Sequence, residues 1–128
     1  MKNEALSPEV IKTAAARIVE YSSARKAEEF DDGCRAGRQW TIEEGEEPEI
    51  IEIANQGAKD DPRLTFAVLR DLVKDEEQRD ALIAYALNWR DETDESAISD
   101  PWAGGFAHGV CQVWEQIEKE VYAQQRQA

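Results

Sequence analysis

Apolar residues recur at steps of three and four along most of the chain, and nowhere do they alternate at every second position between turn residues. That pattern predicts helices and no strands. It is clearest in the last stretch, where Trp102, Phe106, Val110, Val113, Ile117 and Val121 fall on one stripe. Asp100 as N-cap and Pro101 at the first helical position mark its start. Near the other end, a helix opening at Pro8 has Ile11, Ala15, Ile18, Val19 and Ser22 on its inner face. The same face continues through Phe30, Gly33, Gly37 and Trp40, which predicts one continuous or gently bent helix to about residue 42, close to 50 Å long.

Three shorter helices are expected between these two. One runs from Pro48 through Ile50, Ile51 and Ile53 and ends near Asn55-Gln56-Gly57, with the glycine as C-cap. The next opens at Asp60-Asp61-Pro62. Its apolar residues, Leu64, Phe66, Val68, Leu69, Leu72 and Val73, wrap most of the circumference, so it is expected to be central. Asp75 can cap the third, whose inner stripe is Leu82, Ala86 and Trp89. The expected architecture is a single all-α domain over 1–128, with about five helices.

Two segments echo each other. Phe30-x-x-Gly33-Cys34-x-x-Gly37 matches Trp102-x-x-Gly105-Phe106-x-x-Gly109, with the glycines 72 residues apart in both cases. Glycine inside a helix costs about 1 kcal/mol relative to alanine, so four at matching positions need a reason. The expectation is a crossing of the first and last helices at their glycine faces, sealed by Phe30 and Trp102. A dimer seam or a small-ligand pocket in the same groove is the alternative.

Charge narrows the function classes. With 28 acidic against 15 basic residues the formal net charge is -13. Affinity for nucleic acid or for an anionic membrane comes mainly from lysine and arginine, so neither is expected as a direct partner. A basic protein partner is compatible with this charge. Two cysteines, Cys34 and Cys111, have no zinc-type spacing, and the chain does not resemble a disulfide-stapled secreted domain. The polar N-terminal residues lack a signal-peptide pattern, so cytoplasmic residence is expected.

Little in the sequence carries catalytic chemistry. His108, the single histidine, falls opposite the stripe of the last helix and is expected on the surface. Glu49-x-x-Glu52 and Glu77-x-x-Asp80 resemble the paired acidic motifs of all-helical nucleotide pyrophosphatases of the MazG and dimeric dUTPase type. That resemblance covers only these four residues and implies magnesium held against a triphosphate. No catalytic residue and no cofactor is assigned beyond it.

The remaining signal is the acid itself, clustered at Glu43, Glu44, Glu46, Glu47, Glu49 and Glu52, at Asp60 and Asp61, and at Asp91, Glu92, Asp94 and Glu95. The plain expectation is a solvated face that complements helix dipoles. The functional expectation is a non-enzymatic inhibitor that docks on a basic, nucleic-acid-handling protein, in the manner of immunity proteins, antitoxins and phage-encoded anti-defence proteins. A magnesium-dependent nucleotide hydrolase and a homodimeric scaffolding subunit are the alternatives.

Overall fold

A computed structural model describes residues 5–59, 61 and 63–127. The order is α1 (Pro8–Glu43), α2 (Glu47–Lys59), α3 (Phe66–Asp71), α4 (Glu76–Arg90), a 3-10 turn at Glu95–Ala97, and α5 (Asp100–Gln127). The fold is an all-α bundle, as the periodicity predicts. No helix among the described residues is long and apolar enough to cross a membrane.

Local signals account for most of the boundaries. Ser7 accepts from the Val10 N–H at 3.2 Å and Pro8 follows it, so α1 starts where the Ser-Pro pair places it. Asp75 caps α4 through the Gln78 N–H at 2.9 Å. At the start of α5 the cap is Ser99 rather than Asp100: its hydroxyl accepts from the Trp102 N–H at 3.3 Å, and Asp100 is already helical.

α5 is the centre of the bundle. In its first half Trp102, Ala103, Phe106, Ala107 and Val110 are fully buried, and Gly105 and Gly109 are buried with them. The helix expected at Pro62 does not hold that place, and Asp60 and Pro62 lie outside the described residues. What forms instead is the six-residue α3, capped by Thr65, with Leu64 and Val73 buried on its flanks rather than within it. The hydrophobes that encircle a single helix on ideal geometry are instead shared among a turn, a short helix and an exit loop. Val68 is left exposed.

The glycine faces of α1 and α5 meet as expected. A Cβ on Gly33 would lie 2.8 Å from the Trp102 carbonyl carbon, and one on Gly37 equally close to that of Phe106. In return, Gly105 faces Phe30 and Cys34, and Gly109 faces Cys34 and Arg38. Residue numbers rise together across the contact, so the helices run parallel and the sequence echo becomes a local two-fold. Backbones this close exchange Cα–H···O contacts and dense dispersion contacts that a side chain would prevent. The glycine face is therefore consumed within the chain rather than left as a dimer seam.

Gly57 plays the same part and is not a C-cap. α2 continues past it to Lys59, and its Cβ would lie 2.6 Å from the Ala107 carbonyl carbon. Trp40, Phe106, Trp102 and Phe66 then form a continuous aromatic chain through the core, with ring centroids 5.4–6.4 Å apart.

The first half of α1 is the exception. The helix is continuous over 36 residues, about 54 Å at 1.5 Å per residue, but only its second half is buried against the body. Ile11, Ala15, Ile18, Val19 and Ser22, expected as an inner face, are all exposed. The reason is where α5 starts: it begins opposite the middle of α1, and among the described residues no other element covers the turns before it.

Candidate functional site

The acidic residues divide into groups with different surroundings. The turn from α1 to α2 forms an acidic pole. Glu43, Glu44, Glu46 and Glu52 are exposed there, and Glu47 is half-buried. Among the described residues none of these is in a salt bridge; their donors are amides, Gln39 to Glu43, Gln78 to Glu46 at 3.2 Å, and Gln125 to Glu47. The last two place the start of α4 and the end of α5 at the same pole. Tyr85 of α4 also faces it: burial raises its phenol above the ordinary value, and the charges of Glu43 and Glu44 add to that.

Helix-dipole complementarity explains only half of this pole. Glu47 and Glu49 lie in the first turn of α2, where negative charge is favoured. Glu43 and Glu44 lie at the C-terminus of α1, which has no basic residue in its last turn. Each carboxylate there opposes the helix dipole, at a cost of about 0.3–1 kcal/mol. Glu49 leaves the docking set on other grounds. It is buried, with one carboxylate oxygen lacking a hydrogen-bond partner, so it is not presented to a partner.

The second acidic cluster is structural. Asp91 takes the left-handed conformation that ends α4 (φ 55°, ψ 47°), and the Glu92 N–H returns to the Leu87 carbonyl at 2.9 Å. Asp94 caps the 3-10 turn through the Ser96 N–H at 2.9 Å, and Glu95 pairs with Arg70. These residues sit at the opposite end of α4 from the pole. Asp61 is held by Arg63, with N–O distances from 2.9 Å.

Sequence reasoning missed the best-connected carboxylate. Asp32 accepts from the indole N–H of Trp102 at 2.8 Å and of Trp89 at 3.2 Å, and from Arg90 at 3.0 Å and Arg35 at 3.1 Å. Arg90 also reaches Glu29 at 2.7 Å. Burial works against ionisation of Asp32, but the donors from Trp102, Arg90, Trp89 and Arg35 together hold its carboxyl below the usual range. The node ties α1, α4 and α5 together. Arg35 is a local partner three residues along α1, but the other three lie 57 to 70 residues away in sequence, where no local pattern could indicate them.

Other candidate chemistry does not assemble. Among the described residues no three His, Cys, Asp or Glu side chains are placed to hold a metal ion, so Glu49, Glu52, Glu77 and Asp80 form no such cluster. His108 is half-buried rather than on the open surface; its ring lies 5.5 Å from that of Phe30 and bonds Gln112 at 3.1 Å. Cys34 and Cys111 are free thiols. Burial pushes both above the ordinary thiol value; at Cys111 the Glu115 carboxylate adds to this, and at Cys34 Arg38 partly offsets it. Neither is poised as a nucleophile. A groove of about 560 Å³ lies where α1 leaves the body, between Phe30, Leu64, Pro101 and Gly104.

Comparison of the chain with protein families, curated proteins and solved structures returns no match.

Proposed function

We propose that the protein is a non-enzymatic binding module that docks its acidic pole on a basic surface of a protein partner and occludes it. It would act as an inhibitor or neutralising subunit of the immunity-protein, antitoxin or anti-defence kind. The observation that carries this reading is the placement of Glu43 and Glu44. They crowd the negative end of α1 beside Glu46 and Glu47, with no basic side chain in the last turn to offset them. A group of charges kept at a cost to the fold suits electrostatic capture of a cation-rich surface. A nucleic-acid-handling protein presents such a surface.

The test separates this role from plain solubility. Wild type and the triple variant Glu43→Lys, Glu44→Lys, Glu46→Lys are used as baits at low salt and eluted in rising salt. A single basic protein held by wild type, released by salt and lost from the variant supports docking through the pole. Equal capture by both baits, or capture by neither, overturns it.

A further inference from the structure

Among the described residues, six of the ten exposed large hydrophobics lie in one short stretch: Leu6, Val10, Ile11, Ile18, Val19 and Tyr21. Leu6 precedes α1, and the other five belong to the half of α1 that projects beyond the start of α5. Ile11, Ala15, Ile18 and Ser22 fall on the same helical face that, further along, carries Gly33, Ala36, Gly37 and Trp40 against α5. One face is thus covered over its second half and bare over its first. A bare helix of this length is marginal in water, and Val10, Ile11, Thr13, Ile18, Val19 and the Ser22-Ser23 pair are not strong helix formers.

We propose that the projecting half of α1 pairs antiparallel with the same segment of a second copy of this chain, each arm continuing the line of the other copy's α5. The geometry selects a second copy because one register pairs the whole stripe at once. With the two-fold between Ala16 and Arg17, Ile11 lies opposite Ser22, Ala15 opposite Ile18, and Ala14 opposite Val19. Every layer then sets a large residue against a small one, as close helix packing requires.

Charge agrees with the antiparallel sense. The arm over 8–27 carries Lys12, Arg17, Arg25 and Lys26 against Glu9 and Glu20, whereas the chain as a whole stands at -13. Antiparallel pairing holds the two acidic bodies at opposite ends of the seam, several times the Debye length of about 8 Å. Parallel pairing would set them side by side. Ile11, Ile18 and Val19 on the stripe, with Val10 and Tyr21 on its flank, at about 100 Å² each give a seam on the order of 1,000 Å² over both copies, the size of a weak, concentration-dependent dimer.

Sedimentation equilibrium over a range of concentrations tests this, alongside Ile11→Glu/Ile18→Glu, two changes at exposed positions that leave the body's core untouched. The expected result is a wild-type dimer whose dissociation constant rises at least about 100-fold in the double variant, with the arm's far-UV helix signal falling as well. Direction is read separately, in a background lacking Cys34 and Cys111. An Ile11→Cys chain mixed with a Ser22→Cys chain should form a mixed disulfide, and Ile11→Cys alone should not. A wild type that stays monomeric near 1 mM overturns the proposal, on the scale of weak interfaces. So does a dimer that survives the double variant, crosslinking of Ile11→Cys to itself, or a monomer whose arm binds anionic lipid vesicles instead.

Discussion

Gly104 and Gly105 are adjacent in one helix, yet alanine should move stability in opposite directions at the two positions. A Cβ on Gly104 meets nothing nearer than the Phe30 ring at 4.0 Å. Gly104→Ala should therefore stabilise the protein by up to about 1 kcal/mol, the difference in helix propensity. A Cβ on Gly105 would lie 2.8 Å from the Phe30 carbonyl carbon and 3.0 Å from the Cys34 amide nitrogen, and closer still to the Phe30 oxygen. Both obstacles are backbone, so α1 and α5 must separate, and a gap of even 0.5–1 Å forfeits about a quarter to a half of each dispersion contact along the seam. Overpacking of this kind costs about 1–3 kcal/mol, and weakening several Cα–H···O contacts adds about 0.5–1 kcal/mol for each one lost. After the propensity gain, Gly105→Ala should be destabilising by about 2–4 kcal/mol. Urea unfolding followed by tryptophan fluorescence measures both, since Trp102 is fully buried on the same helix. Equal shifts for the two variants would refute the close-approach account of these glycines.

Gly57→Ala should also destabilise, by about 1–3 kcal/mol, whereas a C-cap glycine in the left-handed region would have suffered from strain instead; the same urea series measures it. Asp32→Asn should cost about 2–4 kcal/mol, because it weakens charge-assisted bonds from Arg90 and two indoles. Since the folded Asp32 carboxyl titrates below its unfolded value, its contribution is complete above about pH 4 and is lost as pH falls through the folded value. Acid unfolding of wild type should therefore carry a component in that window that Asp32→Asn lacks. Glu44→Lys should raise the melting temperature while weakening partner capture, as relief of an unfavourable helix end gives about 0.3–1 kcal/mol; thermal unfolding and the pull-down measure the two effects. Cys34 and Cys111 should alkylate slowly at neutral pH and rapidly in denaturant, as timed mass spectrometry of iodoacetamide adducts would show.

What the sequence determines by itself is whatever local spacing controls. Helical periodicity, the Ser7-Pro8 and Asp75 starts, and the echo of Phe30-Gly33-Gly37 in Trp102-Gly105-Gly109 are all decided within a few turns of chain, because one residue's position on a helix fixes the face of those three and four away. The crossing of α1 and α5 was legible for that reason. Tertiary structure decided what depends on distant partners. It made α5 central rather than the segment after Pro62, turned Gly57 from an expected terminator into a packing contact, and drew His108 into half-burial. It divided one apparent acidic surface into a pole at Glu43–Glu47 and a set of caps and ion pairs at Asp91–Glu95. It also gave Asp32 three donors, Trp89, Arg90 and Trp102, that no local spacing connects. An apolar stripe states that a helix face will be covered; only the level at which the neighbouring helix starts decides how far, and α5 covers only the second half of α1.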